Sequence, residues 1–80
     1  GTMRQYRVQA ACIRDIALKT ARKQLNNGKP AEQVLNDLAR QLTNKLIHKP
    51  TTQIKQAGMD GRTELIDAAI ELFDLQQEEQ

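Results

Sequence analysis

From Met3 to Asn27 small and apolar residues recur every three or four positions, and neither Pro nor Gly interrupts them. This spacing predicts a long first helix over about 3–27. Met3, Tyr6, Ala10, Ile13, Ala17, Ala21 and Leu25 form one stripe, while Val8, Cys12 and Ile16 form a second on a well-separated face. A helix lying on one small core needs a single stripe, so the second implies burial on two sides, the other side being another chain. Asn26-Asn27-Gly28-Lys29-Pro30 punctuates the chain, with Gly28 suited to the left-handed position after a helix and Pro30 to the start of the next. A second helix is expected over about 30–48, where Leu35, Leu38, Leu42 and Leu46 stack on one face and are the candidate core. Pro50 is expected to stop it, because its ring disfavours helical geometry at Lys49. Thr51 or Thr52 would then cap a short helix over about 52–57. Gly58-Met59-Asp60-Gly61 turns the chain, Asp60 is a plausible cap, and a last helix over about 62–75 places Leu65, Ile66, Ala69 and Phe73 in the core. Residues 76–80 are polar and expected to fray.

The fold class is therefore all-α, a small helical bundle. Eighty residues make one domain, 1–80, and a chain this short buries only about 60–65% of its unfolded surface, so homodimerisation would complete its core. With Tyr6 and Phe73 as the only aromatics, that core rests on Leu, Ile, Val and Ala. Charge is segregated. Residues 1–29 carry seven Lys or Arg against one Asp, a net +6, whereas residues 60–80 carry one Arg against seven acids, a net −6. This asymmetry implies attraction between the two ends, within or between chains, or a basic face that meets an external anion.

Catalytic chemistry needs converging groups, and few are present. His48 is the only histidine and has no partner in ligand spacing, so no metal site is expected. Cys12 sits mid-helix among apolar neighbours and reads as a small packing residue. The carboxylates Glu64, Asp67, Glu71 and Asp74 have the helical spacing of a solvated face, and no glycine-rich phosphate loop occurs. The alternative to an association module is a basic helical RNA-binding module, in which Arg4, Lys19, Arg22 and Lys23 meet phosphates. No secretory signal or long apolar run appears, so the expected setting is cytoplasmic with no membrane contact. Gly1-Thr2 ahead of Met3 resembles a tag remnant on an excised fragment.

One stretch is more specific than any stripe. Leu42-Thr43-Asn44-Lys45-Leu46 followed by His48-Lys49-Pro50-Thr51 resembles the C-terminal dimerisation domain of bacterial glutamyl-tRNA reductase. The resemblance runs from about residue 3 to residue 75. It takes in Tyr6-Arg7, Ile13-Arg14-Asp15, Gly61-Arg62-Thr63-Glu64-Leu65 and Leu72-Phe73-Asp74-Leu75, where Asp74 stands in place of the family's usual Gly. It implies a non-catalytic dimerisation module whose partners are a second copy and the rest of the parent enzyme, with weak tRNA contact at most. The parent reduces glutamyl-tRNA to glutamate-1-semialdehyde with NADPH at the start of tetrapyrrole synthesis. The nucleophilic cysteine and the NADPH fold lie in other domains of that family, so neither cofactor nor catalytic residue is expected here.

Overall fold

The computed structural model describes residues 1–76, and the expected frayed tail lies, past Gln76, outside the described residues. Three helices follow one another: α1 (Thr2–Asn26), α2 (Ala31–Met59) and α3 (Thr63–Leu72). Among the described residues there is no strand. The chain is all-α, as its periodicity requires. The backbone divides into two compact units with the boundary between Ile47 and His48.

All three helices end in the same way, and the endings explain the turns. The N–H of Lys29 donates to the Gln24 carbonyl at 3.1 Å and that of Gly28 to Leu25 at 3.0 Å, the paired bonds of a Schellman motif. This motif requires a left-handed residue just past the helix, and Gly28 supplies it at φ 86°. The pattern repeats at α2, where Arg62 donates to Ala57 at 2.8 Å and Gly61 adopts φ 71°. It repeats once more at α3, where Leu75 donates to Ile70 at 2.8 Å and Asp74 to Glu71 at 3.2 Å. Here the left-handed residue is Asp74, at φ 53°. Asp tolerates this region better than most residues but does not match glycine.

Two expectations about boundaries need correcting. The last helix stops at Leu72, not at residue 75, because the Asp74 turn ends it. Pro50 does not break the second helix: α2 runs through it to Met59, so the expected break and the separate helix over 52–57 are absent. Proline's fixed φ is itself helical, so the cost of an interior Pro is a lost hydrogen bond to the carbonyl four residues back, here Leu46, together with the clash of its ring there, about 3 kcal/mol. The helical hydrogen bonds of the turns on either side, which α2 keeps from Ala31 to Met59, outweigh that cost. Thr52 caps nothing: its Oγ1 donates back to the His48 carbonyl at 2.9 Å, as a threonine inside a helix does. Nor does Asp60 cap α3, whose N-cap is Arg62; the Asp60 carboxylate accepts from Gln56 Nε2 at 3.1 Å.

In the first unit, α1 and the 31–47 part of α2 form a helical hairpin whose buried residues are Ala17, Ala21 and Val34. Asp37 anchors the connection, accepting from Lys29 Nζ at 3.1 Å and from Arg40 at 2.9 Å. The leucine stripe of α2 is not the centre of this contact. The inward side of α2 is centred on Val34 and Gln41, about a quarter-turn round the helix from the middle of the leucine stripe, so Leu38 and Leu42 are half-buried. Leu35 is 63% exposed where Val34 is 1% exposed, and Leu46 is also exposed, so neither belongs to the core of the single chain as expected. In the second unit Ala57 is buried against a surround in which Ile54, Leu65, Ile66, Ala69 and Ile70 are half-buried. Phe73, also expected in the core, is 45% exposed.

Val34→Ala is therefore expected to cost about 1.5–3 kcal/mol from lost burial and a cavity. Leu35→Ala is expected to cost under about 0.5 kcal/mol when the chain is dilute enough to be monomeric. Denaturant melts of the two variants measure both, and equal costs would show that the inward face has been misplaced. Asp74→Gly relieves the left-handed aspartate and is expected to stabilise by about 0.5–1 kcal/mol, read as a raised denaturation midpoint. A lowered midpoint would mean that the Asp74 side chain contributes more than its backbone strain costs.

Candidate self-association surface

The buried residues among those described are three alanines and one valine, while twelve large apolar side chains remain 41% to 82% exposed. Soluble monomers keep such side chains scattered. Here they gather into faces.

The first face lies on α1. Val8 is 56% and Ile16 58% exposed, Cys12 between them is exposed as well, and all three project from the side opposite Ala17 and Ala21. The structure thus brings the three interface candidates together in one row. The row continues into Lys19 and Lys23, one and two turns beyond Ile16, while Arg4 and Arg22 lie on the adjoining flank. All four candidate RNA-contacting residues are exposed. Arg14 is engaged with Asp15 at 3.1 Å. The second face is the unused edge of the α2 leucine stripe, where Leu35, Ala39 and Leu46 are exposed.

The third face belongs to the second unit. A shallow apolar groove of about 180 Å³ runs between the end of α2 and α3, walled by Pro50, Ile54, Leu65, Ala68, Leu72 and Phe73. Periodicity placed Leu65, Leu72 and Phe73 on one side of α3. Ala68 and Pro50 were missed as wall residues, because an alanine carries little pattern signal and Pro50 read as a stop. Glu64 and Glu71 line up one rim over, seven residues apart on α3. The Glu64 carboxylate is held below the usual range, first by a hydrogen bond from its own backbone N–H and then by Arg62, whose Nε donates to it at 3.1 Å. This flank of α3 thus carries two carboxylates, the Glu64 one paired with Arg62.

Among the described residues no group of three or more His, Cys, Asp or Glu side chains is placed to hold a metal ion, and no helix is long and apolar enough to cross a membrane. His48 is exposed.

Paired helices that leave apolar rows facing outward have the build of a helical association module. Comparison with known proteins gives that class a family: the model described as "Glutamyl-tRNAGlu reductase, dimerisation domain" matches residues 1–75, and the chain belongs to that family. Among curated relatives, the glutamyl-tRNA reductase of Methylococcus capsulatus is 50% identical over 74 residues, 92% of this chain and 18% of the relative. That of Pseudomonas syringae pv. tomato is 47% identical over 73 residues, 91% of this chain and 17% of the relative. That of Xylella fastidiosa is 46% identical over 71 residues, 89% of this chain and 16% of the relative. The chain thus spans less than a fifth of the length of these relatives. No solved structure matches it.

Proposed function

We propose that this domain holds two copies of a cytoplasmic glutamyl-tRNA reductase together and takes no direct part in the chemistry. The observation that carries this reading is the row Val8, Cys12 and Ile16, exposed on the side of α1 that its own chain leaves uncovered. Membership of the dimerisation-domain family supports it. Apolar side chains in a continuous row stay in contact with water until another protein surface covers them, and each one covered contributes about 1.5–3 kcal/mol. A core of four small residues leaves the single chain much to gain from that contact.

The enzyme served by this domain reduces glutamyl-tRNA to glutamate-1-semialdehyde, with NADPH as hydride donor, at the entry to tetrapyrrole synthesis. The nucleotide and the reacting thiol belong to other segments of that enzyme. Cys12 is a packing residue of the interface, since its neighbours in the row are the aliphatic Val8 and Ile16 and not a general base.

Sedimentation of the domain at high micromolar concentration is expected to show a dimer. Ile16→Glu places an unpaired carboxylate in the contact, at a cost of about 3–5 kcal/mol, and is expected to give monomers whose helical circular dichroism is retained. A wild-type chain that stays monomeric under these conditions overturns the reading.

A further inference from the structure

Two outward faces of this chain have complementary chemistry. The α1 row is apolar from Val8 to Ile16 and is accompanied by Arg4, Lys19, Arg22 and Lys23. The groove on the second unit is apolar along Leu65, Ala68 and Leu72, and Glu64, which is paired with Arg62, and Glu71 lie on the adjoining face of α3 by their helical spacing. Their lengths agree as well. Eight residues separate Val8 from Ile16 and seven separate Leu65 from Leu72, which at the helical rise correspond to about 12 Å and about 10 Å.

Self-pairing of either face is electrostatically poor. Two α1 rows side by side set basic ends near each other, and two α3 rims oppose carboxylates. Pairing α1 of one copy with the groove of the other removes both conflicts and covers two exposed faces at once. A two-fold axis repeats the contact, so each dimer makes it twice.

We propose that in the dimer the Val8–Cys12–Ile16 row of each copy seats in the Pro50–Leu72 groove of the other, with Lys19, Arg22 and Lys23 meeting the Glu64 and Glu71 rim. This rests on the dimer reading and names the surface that receives the α1 row. It also gives the basic residues of α1 a partner other than RNA. Rim charges of this kind mainly select the partner and steer encounter, while the apolar row carries the affinity.

Charge exchange between two full-length versions of this chain tests the pairing. One version carries Lys19→Glu and Lys23→Glu, the other Glu64→Lys and Glu71→Lys. In either version alone, like charges face each other at both contacts, and self-association measured by sedimentation at low salt should weaken about tenfold. Mixed one to one, the acidic α1 meets the basic rim and the basic α1 meets the acidic rim. The mixture should therefore form heterodimers within about threefold of wild-type affinity. Because Glu64 sits in the first turn of α3, Glu71→Lys alone is run in parallel, and circular dichroism confirms that each version is folded. A wild-type dimer with both versions dimerising as tightly as wild type overturns the pairing and leaves the dimer reading standing. Weakened versions that mixing does not restore show the charges acting within one chain, which also overturns it. A wild-type monomer overturns the pairing together with the dimer reading.

Discussion

The hairpin between α1 and α2 is built on small residues, and the other features of the domain depend on that choice. Ala17, Ala21 and Val34 are its buried residues, and side chains of this size bury little apolar area. Val34 takes the inward position, and the leucine stripe is turned to the edge, half-buried at Leu38 and Leu42 and exposed at Leu35 and Leu46. The large apolar side chains are therefore left for contacts outside the single chain. A domain whose role is to join two polypeptides is served by this arrangement, because a core that satisfied every leucine internally would leave nothing to drive association.

Helix endings are the second constraint. Each helix stops where a left-handed residue lets two backbone N–H groups turn back onto the last carbonyls, and this happens at Gly28, Gly61 and Asp74. The first two connections set the hairpin of the first unit and the α2–α3 pair of the second. The third brings Phe73 and Leu75 to the end of α3, where Phe73 completes one wall of the groove. Asp74 makes with some backbone strain a turn that a glycine would make without it. The turn is nevertheless made, with both hydrogen bonds in place, so the path of the chain at the end of α3 imposes the left-handed geometry on whichever residue occupies that position.

Pro50 shows how a local rule yields to its surroundings. The disfavoured geometry before a proline and the missing hydrogen bond together amount to a few kcal/mol, and they act at one turn. The residues on either side, Leu46 to Lys49 and Thr51 to Met59, each gain helical hydrogen bonds, and the second unit gains the wall that Pro50 and Ile54 supply to its groove. The proline marks the boundary region between the two units and not the end of a helix.

Amino-acid order alone determined the all-α class, the long first helix, the break at Asn27–Pro30, the α2–α3 turn and the segregation of charge, because all of these depend on residues close together in the chain. It also carried the family, through the Leu42–Thr51 run and the motifs on either side of it, and it separated the Val8–Cys12–Ile16 row from the hairpin face. Only the tertiary structure decided that Val34, not Leu35, enters the core, that α2 passes through Pro50, and that Asp60 and Thr52 are not caps. The groove, too, became visible only once α3 lay beside the end of α2. The physical reason is common to these cases. Periodicity reports that a stripe is apolar but not which edge of it a neighbouring helix can approach, and that is settled by side-chain volume on both helices at once.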